Sequence, residues 1–261
     1  MTLSKLLLPL LIAGNLSSAW AAEQVVPSST TFHVNKTLAG REIDVMNAVA
    51  ARLGVEVRWQ DTGGFDNIIP GLKSGRYDVA LSNINATKKR LEQVDFVSYY
   101  DASRLGVISR KDANIAPFTS FDAVCGQEVG AGAGTTQIGR LEAASKICTD
   151  AGKPPIKIAV FPDRPSGVQA VVSGRVPMFF GPYEGLTYQV SQVKPLTLTG
   201  TIHVDDAPVS VAFPKQSGLE EAVQASLNSL IKDGTYQQIL DKWSIGFGAV
   251  KESKRNEEIF G

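Results

Sequence analysis

The sequence is poor in the residues that build metal and redox sites. It has two histidines, His33 and His203, and two cysteines, Cys125 and Cys148, in 261 residues. They lie far apart in the chain and neither has a cysteine beside it, which argues against a dedicated metal site. There is no Cys-x-x-Cys, no Gly-x-Ser-x-Gly and no glycine loop of the nucleotide-phosphate type. No nucleophile motif stands out and no cofactor is expected. An excess of one charge is also missing. Twenty-six basic residues balance 26 acidic ones, which argues against nucleic acid as the partner. No apolar run reaches the length of a membrane span.

What is present starts with a targeting segment. Lys5 supplies a positive start, Leu6 to Ala13 an apolar stretch, and Ala19-Trp20-Ala21 a small-x-small cleavage site. Residues 1–21 are therefore expected to be a signal peptide, with the mature chain beginning near Ala22. No cysteine sits at the cleavage point, so no lipid anchor is expected, and the most direct destination is a Gram-negative periplasm. An oxidising compartment favours a Cys125–Cys148 bridge over two buried thiols. A hydrophobic content of 43% suffices for one large domain or two small ones.

Strand and helix patterns then alternate, the mark of an α/β fold with parallel strands. Ile43, Met46, Val49 and Leu53 share one face of an expected helix over 42–53, which Gly54 stops. Val55, Val57 and Trp59 alternate as a strand, and Phe65 to Lys73 reads as a short helix. Val79-Ala80-Leu81 is a short buried strand followed by polar Ser82, Asn83 and Asn85. Further strands are expected over 105–109, 128–133, 156–161, 176–180 and 209–213. Helices are expected over 134–148, 166–173, 183–191, 219–232 and 236–243. The last dozen residues read as a tail.

Two strand-to-helix junctions look built for an anion. After Asn85, Thr87 is a good N-cap and Lys88-Lys89-Arg90 opens a helix. Cations at a helix N-terminus oppose the macrodipole, so an anion is expected there. Lys88 and Lys89 read as a solvated run, and Arg90, one turn in, as ligand-facing. Gly134-Thr135-Thr136 forms the second junction, with free backbone N–H groups and two hydroxyls. Its plainer meaning is an N-cap. Phe65, after Gly63-Gly64, is either a ring over a ligand or a core residue. The Asp205-Asp206 pair reads as a solvated loop.

These stretches resemble the periplasmic solute-binding proteins of ATP-driven polar amino-acid importers. The resemblance runs through LAGREIDVMNAVAARLGVEV, GGFDNIIPGLKSGRYDVALSNINATKKRLEQVDFVSYY, AGAGTTQ, FPD…VVSGR and SLIKDGTYQQILDKW, from about Thr31 to Trp243. The phrase SGRYDV…T-x-x-R-x-x-x-VDF is the specific part. The resemblance implies a two-lobed fold with a mostly parallel sheet in each lobe and the ligand in the cleft. The two crossings are expected near Ser109–Asp112 and Val209–Phe213. The first lobe would comprise 22–110 and 209–247, the second 111–208, and the tail 248–261. By the same resemblance Arg90 holds a ligand carboxylate in a bidentate fork, and Thr136, beside Thr135 and the Gly134 turn, holds it from the other lobe. Ser82, Asn83 and Asn85 would offer hydrogen bonds, with Phe65 lining the side-chain pocket and Phe32 standing at a shortened turn.

The sequence departs from the family pattern in three places. The strand before Thr30-Thr31-Phe32 is mostly missing, unless Glu23 to Val26 is a shortened version. Gly132 stands where a long polar residue is common. Pro182 falls where the family carries the aspartate that binds an α-ammonium, and Pro177 where an acid is usual. The expected function is therefore capture of a small carboxylate-bearing solute, an amino acid first of all. Closure of the lobes around it would hand it to an inner-membrane ABC permease. The expected state is a monomer without catalysis. The alternatives are a dehydratase- or lyase-type enzyme on the same scaffold, for which Glu184 is the one nearby acid, and a non-transporting receptor subunit.

Overall fold

The computed structural model describes residues 22–25, 31–34, 37–101, 103–204 and 207–260, the backbone alone for 22–25, 31–34 and 37–38. The expected signal peptide, the Asp205-Asp206 pair and the side chains of Phe32 and His33 lie outside the described residues. The chain begins with β1 (Ala22–Val25), β2 (Thr31–Val34), β3 (Thr37–Gly40), α1 (Arg41–Leu53), β4 (Val57–Trp59), α2 (Ile68–Lys73), β5 (Ala80–Asn85), α3 (Lys88–Leu91) and β6 (Val94–Tyr100). It continues with β7 (Arg104–Arg110), β8 (Glu128–Gly132), α4 (Thr136–Asp150), β9 (Lys157–Phe161), α5 (Arg164–Val172), β10 (Met178–Pro182), α6 (Tyr183–Gln192) and β11 (Leu196–His203). It returns through β12 (Val209–Pro214), α7 (Glu220–Lys232) and α8 (Thr235–Lys242).

Two main sheets make two lobes. The first has the order β5-β12-β6, and the second β11-β7-β10-β8-β9. The β8–β9 and β8–β10 pairs are parallel, as helix crossovers require. The antiparallel pairs involve the strands that enter a sheet directly from the other lobe. β7 runs against β10 and β11, and β12 runs against β5 and β6. β1 pairs in parallel with β4, so a shortened first strand is present.

The crossings fall at other positions than the sequence suggests. All of β7 pairs within the second sheet, and all of β12 within the first. The chain therefore changes lobes between Asp101 and Arg104, and again between Val204 and Val209.

Helices cover both faces of each sheet, so the strands carry near-continuous apolar runs. In β10, Met178 and Phe180 pack toward α4 while Phe179 packs toward α5 and α6. In the first lobe, Val97 and Tyr99 join the cluster of α1, α7 and α8, while Phe96 joins Ile68 and Leu72 of α2. Each such side chain contributes roughly 1.5–3 kcal/mol when fully buried. Local signals set the helix ends. Gly54 closes α1 in the left-handed conformation (φ 69°), and the Asp163 side chain accepts the Ser166 N–H at the start of α5. The C-terminal stretch lies along β6. The Ser98 N–H donates to the Lys254 carbonyl at 2.8 Å, and the fully buried Ser253 donates its hydroxyl to the Ser98 carbonyl.

Cys125 and Cys148 form a disulfide that ties the entry of β8 to the end of α4. Closing a loop with a sequence separation of 23 residues is worth about 3 kcal/mol in the chain-entropy treatment. Unreduced protein is expected to yield no free thiol on alkylation after denaturation. The double Cys125→Ser, Cys148→Ser variant is expected to unfold at lower urea by an amount equivalent to that energy. An unchanged midpoint would show that the bridge adds nothing to stability.

Candidate binding site

One cavity of about 420 Å³ lies between the lobes, within the usual size of a small-molecule site. The first lobe lines it with Phe65, Ser82, Asn83, Asn85 and Arg90, and the second with Gly132, Thr135 and Thr136. The sequence-derived residues whose side chains are described thus come together, with Gly134 at the edge. β5 brings three of them because it extends through Asn85, beyond the apolar run that marks its start. Phe32 belongs to the β2–β3 hairpin.

Arg90 and α4 meet across the cleft. Thr87 caps α3 by accepting the Arg90 N–H, which turns the Arg90 side chain back over the end of β5. Its guanidinium donates to the Asn85 carbonyl and the Gly134 carbonyl, each at 3.0 Å, and lies 5.1 Å above the Phe65 ring. Lys88 and Lys89 are exposed. Opposite, Gly134 takes φ 70° and a β-carbon there would stand 3.0 Å from that of Asp66. Only glycine permits both the turn and this approach. Thr135 is the N-cap of α4, but its hydroxyl donates to the Gly132 carbonyl and leaves the α4 N–H groups uncapped by it. Those N–H groups and the helix dipole favour an anion.

A second charged set was not found from sequence. Arg41 opens α1 and is 1% exposed, as is its neighbour Glu42. Arg41 donates to the Asn83 side-chain oxygen at 2.7 Å and to Glu42 Oε1 at 3.1 Å. That same Oε1 accepts from the Asn83 N–H at 2.7 Å and from the Tyr99 hydroxyl at 2.6 Å. The guanidinium stacks 4.2 Å from the Tyr100 ring centre. Glu184, in the first turn of α6, reaches within 3.8 Å of Arg41 from the other lobe. Burial pulls the Arg41 guanidinium down, but facing Tyr99, Glu42 and Glu184 hold it above its ordinary value. Burial and Glu42 push the Tyr99 phenol well up, so it stays a donor. Asn83 holds this arrangement with a positive φ of 52°, a conformation its short polar side chain tolerates.

Arg164, first residue of α5, also lines the cavity. Burial lowers its guanidinium to about 10, against the opposing pull of Glu184 and Glu42, so it is charged at neutral pH. The sequence signal for both arginines was a cation at the first position of a helix, the argument applied to Lys88–Arg90 but not to Arg41 or Arg164. Among the described residues no group of histidine, cysteine and carboxylate side chains is arranged to hold a metal, and no helix is long and apolar enough to cross a membrane.

Two α/β lobes joined by two crossings, with polar groups of both lobes turned into one cleft, define a binding protein that closes on its solute. The model of the bacterial extracellular solute-binding proteins, family 3, matches residues 20–247, and the chain belongs to that family. Its role as the solute-capturing component of an ABC importer follows from that membership. It is 26% identical to ABC transporter arginine-binding protein 1 of Escherichia coli (strain K12) over 254 residues, 92% of this chain and 99% of that one. It is 27% identical to the L-cystine-binding protein TcyA of Bacillus subtilis (strain 168) over 223 residues, 82% of this chain and 76% of that one. Among solved structures, an ancestral arginine-binding protein bound to arginine superposes with a TM-score of 0.74 at 28% identity, over 85% of this chain and 97% of that one.

Proposed function

We propose that this protein captures a small carboxylate-bearing solute of amino-acid size in the periplasm and delivers it to an inner-membrane ABC permease. The observation that carries this reading is the convergence of Arg90 and the N-terminus of α4 on one cavity from opposite lobes. In this reading the solute carboxylate takes the place of the Gly134 carbonyl as acceptor for Arg90. Thr136 and the first N–H groups of α4 complete its shell. Ser82 and Asn85 add hydrogen bonds from β5, and Phe65 forms an apolar wall. Asn85 and Thr136 already face each other at 3.5 Å, so the lobes draw together around the solute. The protein works as a monomer, exported by its signal peptide and without chemical turnover. In this reading Glu184, 3.8 Å from Arg41, serves as a counter-charge and not as a general acid.

A thermal-shift panel of amino acids and simple organic acids tests this. A true solute at a hundred times its dissociation constant adds about 2.7 kcal/mol, and a rise of roughly 5–10 °C in melting temperature is expected for a chain of this size. Conversion of a tested acid to a product would overturn the reading, as would a panel in which no carboxylate raises the melting temperature.

A further inference from the structure

Beside the first crossing the C-terminal stretch touches both lobes. After α8 the chain makes a short turn over Gly246–Gly248, which lies against Tyr100 at the end of β6. The Tyr100 hydroxyl donates to the Ile245 carbonyl at 3.1 Å, and the Asp101 N–H donates to the Gly248 carbonyl at 2.8 Å. A β-carbon on residue 248 would stand 2.2 Å from the Tyr100 ring, so only glycine lets the backbone lie this close. The turn is thus fixed to the first lobe. Just before it, Trp243 and Ile245 line the cavity.

Phe247, at the centre of the turn, reaches the second lobe. Its ring centre lies 5.7 Å from that of Tyr183, edge to face, and the Arg104 guanidinium stands 4.9 Å from it. Tyr183 opens α6 and Arg104 opens β7. Tyr100 meets the same ring from the first lobe at 6.4 Å. Phe247 is 44% exposed, so burial within the first lobe is not what holds it. Two of these three partners stand across the crossing. At the mouth of the cleft, Arg90 and Thr136 also reach the facing lobe. Opening the cleft turns one lobe on the other, and separates Tyr183 and Arg104 from a ring that stays with Tyr100.

We infer that Phe247 is a positioning residue for closure. The turn that carries it is a strap, anchored on the first lobe, which grips the second and holds the cleft shut before a solute enters. Phe247 is not among the residues that line the cavity, so the strap acts without touching the solute. A solute that binds the closed form then gains apparent affinity in proportion to the closed fraction, whatever its side chain. The inference concerns the lobes alone and does not depend on what Arg90 binds.

Single-molecule energy transfer on the solute-free protein tests it. Dyes are placed on Lys89→Cys in the first lobe and Glu142→Cys in the second, both exposed positions. The Cys125–Cys148 bridge leaves no other thiol to label. With Phe247 in place the short separation is expected to dominate. Phe247→Ala is expected to lower the closed-to-open ratio about tenfold, the scale of one aromatic pair with one cation–π contact. Phe247→Tyr keeps the ring and is expected to stay within about twofold of the unaltered protein. Arg104→Gln removes one grip from the other lobe and is expected to lower the ratio about threefold. It decides the matter if Phe247→Ala does not fold, which a thermal melt reports. A ratio unchanged by Phe247→Ala and Arg104→Gln would overturn the inference. So would a shift toward closure, a fall that Phe247→Tyr shares in full, or a cleft that stands open with Phe247 in place.

Discussion

Replacing Glu42 with alanine is expected to lower the stability of the protein by about 3–5 kcal/mol, the usual result of removing one partner of a buried ion pair. The change strips three donors of their shared acceptor: Arg41, the Asn83 N–H and the Tyr99 hydroxyl. Arg41 keeps the Asn83 oxygen and the more distant Glu184, which offset part of the loss and set the lower end of the range. A domain is held by only 5–15 kcal/mol in total, so the shift in urea midpoint is large. The double variant Arg41→Met, Glu42→Leu is expected to recover only the part due to the unpaired Arg41 charge, because the Asn83 N–H and the Tyr99 hydroxyl still lack their acceptor. A Glu42→Ala variant within 1 kcal/mol of wild type would show that water entering from the cavity replaces the carboxylate.

Arg90→Ala is expected to weaken solute binding more than a hundredfold, since truncating one partner of a buried charged hydrogen bond costs roughly 2–5 kcal/mol. Arg90 could also act as a strut, because its guanidinium already bridges to Gly134 of the other lobe. A strut would help every solute alike. A carboxylate partner helps only the acid. The comparison is therefore between a bound acid and its neutral amide, in wild type and in Arg90→Ala. Loss of the acid's advantage in the variant is the expected result. An acid-to-amide ratio that survives the substitution would assign Arg90 to closure alone.

Much of this was legible in the sequence, and the misses have physical causes. The helices over 41–53, 136–150, 220–232 and 235–242 follow apolar periodicity and glycine stops, although Leu53, placed by that periodicity on the buried face, is 37% exposed. β6 and β11 were not read as strands. β6 is buried on both faces and has no alternation to betray it, while β11 mixes threonines with a register shift between Leu198 and Gly200. The crossings were displaced because an apolar strand such as β7 does not say which sheet it joins. Arg90, Thr136 and the polar end of β5 were visible because their junctions carry distinctive local chemistry. Arg41 and Arg164 were not, since their meaning depends on Glu184 and Tyr100, which stand apart from them in the chain and meet them only in the folded protein.

The packing of the C-terminal stretch against β6 has a consequence for the molecule in crowded surroundings. β6 ends its sheet, and strands in that position expose a row of backbone groups to which any passing extended chain can add. Here the chain supplies its own cover. The Lys254 carbonyl takes the Ser98 N–H, Arg255 bridges to Val97, and the Asn256 side chain takes the Phe96 N–H. Residues 253–256 thus occupy the hydrogen-bonding edge of an apolar strand that an extended chain would otherwise find open.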